Sequence, residues 1–195
     1  MTKPTAMTEL EAVNVLLTTI GEAPVNTLTG NQVTDVTVAK QVLNEISREV
    51  QSEGWHFNTE PQVKLSPDVN KFIFAPADTA RIDSRDLNIT LLEEKVFDLD
   101  KRSYEFDNPI KVDVVYYRDF IRLPDIAKRY ITARAARIFS DRLLNSETIH
   151  AMTLRDERKA LIDLREYEGD VADYSMMDSY SVARVLNRGF SRRML

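Results

Sequence analysis

The chain of 195 residues contains no cysteine, so disulfide scaffolds, thiolate zinc sites and cysteine nucleophiles are excluded. Its five glycines form no Gly-x-x-x-x-Gly-Lys, Gly-x-Gly-x-x-Gly or Gly-x-Ser-x-Gly sequence. The common phosphate-binding loops and the serine-nucleophile turn are therefore absent. No apolar run approaches the ~20 residues that span a bilayer, and residues 1–10 lack the apolar segment of a signal peptide. We expect a protein that is made in the cytoplasm and does not insert into a membrane.

The balance of charge is mildly acidic, with 31 acidic against 26 basic residues and a net charge of −5. This balance gives no overall attraction to nucleic acid or to an anionic membrane, so a function in bulk DNA binding is not expected. Hydrophobic residues make up 43% of the chain, which is near the globular average. The length allows one large domain or two small ones with a real core.

The first 58 residues predict two helices that each end at a glycine. Thr8 and Glu11 have the spacing of a capping box, and the helix that follows stops at Gly21, with Pro24 preventing its continuation. A second helix is predicted over residues 34–53, and Gly54 stands where a left-handed cap is needed. The aromatic residues after it are expected to fold back onto this helix. Their positions are Trp55 and Phe57.

The pattern changes to period two between Pro61 and Asp119, which predicts short strands separated by Pro, Asp and Asn turns. The alternating apolar residues are Val63, Leu65, Leu87, Ile89, Leu91, Val112, Val114 and Tyr116. Many turn residues favour a small antiparallel sheet with one face in water.

Helical periodicity returns at Pro124, which suits the first position of a helix that ends near Asn145. Ser146 can cap a fourth helix over about residues 147–172, whose apolar residues are Ile149, Met152, Leu161, Leu164 and Tyr167. The fold class is therefore α+β. Residues 1–58 and 120–173 form an antiparallel bundle of about four helices, residues 59–119 a strand-rich antiparallel insert, and residues 174–195 an extended C-terminal tail.

Candidate catalytic residues are few. His56 and His150 are the only histidines, and neither lies in a metal-binding motif. Adjacent carboxylates, of which Glu93 and Glu94 are the leading pair, would suit a glycan hydrolase, which needs two carboxyl groups about 5–10 Å apart. Similar pairs occur at Asp83 and Asp86, and at Asp98 and Asp100. Solvated turns and sheet edges explain such pairs more simply. We predict no catalytic residue, no metal ligand and no cofactor.

Two charged segments are candidates for interfaces. The run Arg-Asp-Glu-Arg-Lys at residues 155–159 predicts a solvated helix face, with an ion-pair belt between subunits as the alternative. The tail mixes arginines with apolar anchors, a composition typical of interface cores, and the alternative is a terminus without a role. The predicted partner-binding residues of the tail are Tyr174, Met176, Met177, Tyr180, Arg184, Arg188, Phe190, Arg192 and Arg193.

The order of these elements resembles a known family. The matching segments are Leu-Glu-Ala-Val-Asn at residues 10–14, Ile-Gly-Glu-Ala-Pro-Val at 20–25, Leu-Asn-Glu-Ile at 43–46, Gln-Ser-Glu-Gly-Trp-His-Phe-Asn at 51–58 and Leu-Ser-Pro-Asp at 65–68. In order and spacing the chain resembles tail tubular protein A, the head-to-tail adaptor of short-tailed phages of the autographivirus type. The segments include the structural turns that carry Gly21, Pro24, Gly54, Trp55 and Phe57.

The resemblance implies a structural virion protein at the head-tail junction of a podovirus, made in the host cytoplasm. Such adaptors form a homo-oligomeric ring, expected to be dodecameric, between the portal protein and the tubular nozzle protein, and they support the tail fibre protein. Genomic DNA passes through the lumen during ejection without specific binding. Two alternatives stay open. One is a tail-associated peptidoglycan hydrolase that uses carboxylates, and the other is an assembly factor that does not remain in the virion.

Overall fold

The computed structural model describes residues 6–29 and 34–177, with side chains described up to residue 171. Four α-helices and five strands follow one another in the order α1, α2, β1 to β5, α3 and α4. Two single 3-10 turns, His56–Asn58 and Phe120–Arg122, flank the strands. The helices are α1 (Glu9–Thr19), α2 (Thr34–Ser52), α3 (Asp125–Leu144) and α4 (Glu147–Met177), and the strands are β1 (Thr59–Leu65), β2 (Thr79–Asp83), β3 (Ile89–Leu92), β4 (Lys95–Asp98) and β5 (Ile110–Tyr116). The α+β fold class predicted from the sequence is confirmed.

Helix α1 is fixed at both ends by local hydrogen bonds. The Thr8 hydroxyl accepts from the Glu11 N–H at 3.2 Å, and the Glu11 carboxylate accepts from the Thr8 N–H at 2.8 Å, which is the predicted capping box. At the other end Gly21 has a φ of +87°, and the N–H of Glu22 reaches back to the carbonyl of Leu17 at 3.0 Å. This is a Schellman turn, which satisfies carbonyls that the helix itself leaves free.

The four helices bury one apolar core. Their buried positions include Leu16 and Leu17 of α1, Leu43 and Ile46 of α2, and Phe139 of α3, with Leu164 of α4 joining them at 0% exposure. The predicted apolar face of the fourth helix is only partly correct. Met152 is 61% exposed and Tyr167 is 41% exposed, because α4 packs against α3 along one side only.

The end of α4 differs from the prediction. Helix α4 continues to Met177, so Tyr174, Met176 and Met177 belong to the helix rather than to an irregular tail. No proline occurs between residues 147 and 177, and Gly169 alone does not break a helix. The other predicted tail residues lie outside the described part of the chain. They are Tyr180, Arg184, Arg188, Phe190, Arg192 and Arg193.

The strands form two antiparallel sheets. The first has the order β1-β5-β2, with Val63 opposite Val112 and Ile82 opposite Val114, and the second is the β3-β4 hairpin. Strands β2 and β4 were not predicted individually, and Leu87 precedes β3 instead of lying in it. The strands have a core of their own, which is separate from the helical core. It contains Leu65, Ile73, Ile82, Val96, Phe106, Ile110, Val112 and Val114.

Candidate functional site

The junction between the helical core and the sheet is the turn at residues 54–58, which we call the elbow. Gly54 opens it with a φ of +82°, a conformation that other residues adopt only with strain. A Cβ atom at this position would lie 3.1 Å from Arg81 Nη2 and 3.1 Å from Val115 Cγ2. Glycine is thus required here both by backbone conformation and by the close approach of the sheet.

The aromatic side chains of the elbow pack back against the helices. The Trp55 indole Nε1 donates to the Val50 carbonyl at 2.7 Å, in the last turns of α2. Its ring is parallel to that of Phe57, with the centroids 6.4 Å apart and an interplanar angle of 4°. Both residues are half-buried against the helical core. They cover the end of that core at the point where the chain leaves α2 for β1.

Two buried amide side chains connect α2 to the end of β5. Gln51 exchanges two hydrogen bonds with the backbone of Arg118, through Oε1 at 2.7 Å and Nε2 at 3.1 Å. The Asn58 side-chain amide donates to the carbonyls of Gln51 and Tyr116, both at 2.8 Å, and its Oδ1 accepts from the N–H of Trp55. Each of the two side chains is 1% exposed. Their polar groups therefore hold helix, elbow and sheet in one arrangement.

The sequence prediction missed Gln51 and Asn58. A signal for Gln51 did exist, because it lies eight residues after the buried Leu43 and so falls on the same face of α2. Asn58 has no comparable signal, since its role depends on carbonyls contributed by α2 and β5.

The two histidines lie apart, each beside a carboxylate. His56 contacts Glu168 of α4, through its N–H at 2.9 Å and its Nδ1 at 3.2 Å from Glu168 Oε2. His150 lies 2.9 Å from Asp141 across the α3-α4 turn. Among residues 6–29 and 34–171, no three histidine or carboxylate side chains are grouped so as to hold a metal. The bond to Glu168 instead ties the elbow to α4.

The carboxylate pair proposed for glycan hydrolysis occupies a turn. Glu93 and Glu94 are the two loop residues of the β3-β4 hairpin, with φ values of 50° and 64°, and both are exposed. Two positive φ values in a two-residue loop define a type I′ turn.

Asp98, another carboxylate considered for hydrolysis, accepts hydrogen bonds from the backbone N–H groups of Asp100 and Lys101 at 3.0 and 2.9 Å. The bond from Lys101 lowers the pKa of Asp98, whereas a general acid needs a raised pKa.

The charged run of α4 is divided between two environments. Glu157 faces α3 and pairs with Arg137, and this hydrogen bond is the main cause that raises the pKa of the Arg137 guanidinium. The other four residues of the run are exposed, and none forms an ion pair or a side-chain hydrogen bond with another described residue. They are Arg155, Asp156, Arg158 and Lys159. The solvated-face prediction therefore fails only at Glu157.

An open cleft of about 770 Å³ lies beside the elbow, between α2 and the segment that leads from β5 to α3. Tyr117 and Ile121 on its wall are 36% and 72% exposed. Exposed apolar side chains beside guanidinium groups are common at protein interfaces. The charged residues that line the cleft are Glu9, Arg48, Asp78, Arg118, Asp119 and Arg122.

A comparison with known protein families identifies the family of this chain. The family model described as tail tubular protein matches residues 10–174, which is most of the chain. The chain therefore belongs to the tail tubular protein family, as its sequence resemblance predicts. It is a structural protein of the phage tail and associates there with other tail components. A sequence search of curated proteins found no match. No helix within the described ranges is both long and apolar enough to cross a membrane.

Proposed function

We propose that the protein is the adaptor of a short phage tail, a homo-oligomeric ring of twelve copies between the portal protein and the tubular nozzle protein. The ring supports the tail fibre protein and surrounds the path of the DNA during ejection. Family membership over residues 10–174 carries the proposal. The elbow supports it, because its hydrogen bonds fix the sheet relative to the helices and so give each subunit one defined shape.

The acidic net charge supports the proposed passage of DNA through the lumen of the ring. A chain with a net charge of −5 repels the DNA phosphates on average, and DNA can then slide through the ring without being retained. A closed ring also needs a heterologous interface, in which one surface of each copy meets a different surface of the next. Such a subunit needs no active site, and we propose that it has none.

Electron microscopy of the full-length protein mixed with its portal protein tests the ring. We expect a ring of twelve subunits on the portal. Failure to form any ring in the presence of portal and nozzle proteins contradicts the proposal. Mass spectrometry of purified virions provides the second measurement, because an assembly factor that leaves the particle would be missing there.

We propose that the C-terminal tail docks to the portal. Removal of residues 178–195 leaves the whole of α4 in place and is expected to abolish portal binding. A full-length variant with Arg184, Arg188, Arg192 and Arg193 replaced by glutamine separates the contribution of charge from that of chain length. Unchanged binding after the deletion overturns this assignment.

A further inference from the structure

Helix α4 has one side buried and one side free. Thr153, Glu157 and Leu164 face α3 and are at most 9% exposed. The opposite side carries charged residues around Ile162, which is 56% exposed although it is apolar. The stretch from Met152 to Asp170 is about 28 Å long at the helical rise of about 1.5 Å per residue. A surface of this length can be shared with another helix.

Five of the charged residues on the free side form two edges of opposite sign. The basic edge consists of Arg158 and Arg165, and the acidic edge consists of Asp156, Asp163 and Asp170. Within each edge the residues repeat every seven positions, so they lie above one another on the helix. At about 100° per residue the two edges are about 150° apart, with Ile162 between them. Arg155, Lys159 and Glu166 also lie between the edges, two basic side chains and one acidic one.

These edge residues have no partner among the described residues, whereas other charges of the bundle do. Arg134 pairs with Glu49, and Arg142 pairs with Glu45 through two hydrogen bonds of 2.8 Å. The five edge side chains are all exposed and form no ion pair or side-chain hydrogen bond within residues 6–29 and 34–171. Each edge is complementary in charge to the other, but one helix cannot bring its own two edges together.

We propose that the free side of α4 is a self-interface, in which the basic edge of one copy binds the acidic edge of the next copy. The inference rests on the proposed ring and names the surface that closes it. Because the two edges differ, the contact is head-to-tail and repeats from copy to copy. In a regular ring of twelve helices, the directions from one helix to its two neighbours enclose about 150°. The two edges of α4 are separated by the same angle, so their contact fits a ring of about twelve members.

The absence of cysteine allows a direct test by disulfide cross-linking of the full-length protein. Arg165→Cys and Asp163→Cys, which lie on opposite edges at nearly the same height of the helix, are made separately and oxidised alone and as a mixture. We expect the mixture to give at least about tenfold more disulfide dimer than either variant alone, because only unlike edges meet. The chain with both substitutions is expected to give a ladder of trimers and higher species, because its two cysteines lie on different sides of the helix. Lys64→Cys mixed with Lys111→Cys is the control, since both lysines are exposed on the sheet.

The cross-linking is performed on the isolated protein at high concentration and on the protein assembled with portal. Cross-linking that does not exceed the Lys64 and Lys111 control in both samples overturns the inference. Efficient dimers from one single-cysteine variant alone also overturn it, because they indicate a symmetric contact. The proposed function is judged separately by ring formation of the wild-type chain on the portal. A ring without this cross-link therefore refutes the interface but not the adaptor role.

Charge exchange provides a second measurement. Arg158→Glu with Arg165→Glu, or Asp156→Lys with Asp163→Lys, places like charges opposite each other and is expected to weaken self-association roughly a hundredfold. The chain with all four substitutions restores opposite charges and is expected to associate like the wild type. Lys64→Glu with Lys111→Glu changes the net charge as much as the arginine variant and is expected to leave association unchanged. If the fourfold variant is folded by circular dichroism but as weak as the two double variants, the paired-edge geometry is wrong.

Discussion

The side chain of Gln51 pairs with the backbone of Arg118 as a neighbouring strand would. Its Oε1 accepts from the Arg118 N–H at 2.7 Å, and its Nε2 donates to the Arg118 carbonyl at 3.1 Å. A buried amide on α2 therefore satisfies both backbone groups of the residue that lies two positions beyond the end of β5. This relationship makes the stability of the molecule sensitive to one uncharged side chain.

We expect Gln51→Ala to lower the free energy of unfolding by about 2 kcal/mol, because it removes a buried side chain together with its two hydrogen bonds to the Arg118 backbone. Urea denaturation measures the change. Gln41→Ala is the matched control, since Gln41 is exposed on the same helix. Equal effects of the two substitutions would show that the pairing contributes nothing beyond helix propensity.

Three glycine-to-alanine substitutions separate the cost of backbone strain from the cost of steric crowding around the new Cβ atom. Gly21→Ala is expected to cost about 1 kcal/mol, because φ is +87° but the surrounding space is open. Gly54→Ala should cost more, because Arg81 and Val115 lie 3.1 Å from the new Cβ in addition to the strain. Gly169→Ala meets no atom within 4 Å and should stabilise α4 by up to about 1 kcal/mol.

Thermal unfolding of the three variants provides the order of stability, with Gly169→Ala above the wild type and Gly54→Ala lowest. A Gly54 variant no less stable than the Gly21 variant contradicts the close approach of the sheet at the elbow.

The lowered pKa of Asp98 predicts a loss of stability in acid. Backbone hydrogen bonds, first that of Lys101, favour the charged carboxylate in the folded state. The folded pKa lies below the unfolded value, so the stabilisation is present above pH ~4 and disappears as the pH falls through the folded pKa. Glu11, Glu45 and Asp107 have lowered pKa values as well and act in the same direction.

We expect Asp98→Asn to destabilise the protein at pH 7, and we expect its difference from the wild type to shrink as the pH falls from 7 through the lowered folded pKa of Asp98. Denaturation at a series of pH values measures the difference. Asp86→Asn is the control, because Asp86 is exposed and its carboxylate accepts no hydrogen bond from another described residue. A difference between wild type and Asp98→Asn that stays constant across this range would exclude the charge as its cause.

The hairpin turn at Glu93 and Glu94 allows structure and catalysis to be tested together. Type I′ turns prefer Asn-Gly, so Glu93→Asn with Glu94→Gly is expected to raise stability by about 1 kcal/mol. A turbidity assay on peptidoglycan is expected to show no activity in either protein, and the same holds for Glu93→Gln with Glu94→Gln. Activity of the wild type that is lost in both variants would establish the hydrolase alternative.

The predictability of the fold depended on whether a residue's role is local. Thr8, Gly21 and Gly54 act within one turn of chain, so their types and spacing are enough to indicate what they do. Strand β2 could not be predicted in this way, because Ile82 is its one fully buried residue and its pairing with β5 crosses about thirty positions of sequence. Asn58 is similar, since its partners come from α2 and β5. Polar residues that connect distant elements look like surface residues in a sequence.

The elbow has a consequence for how the protein unfolds. The helical and strand cores share no apolar cluster, yet Gln51 and Asn58 satisfy backbone groups that belong to both sides. Separation of the two cores would leave these amides and carbonyls unpaired, so neither core can melt without a penalty to the other. We therefore expect a single cooperative transition from a molecule with two cores. Cooperativity here comes from a few polar side chains rather than from a continuous apolar interior.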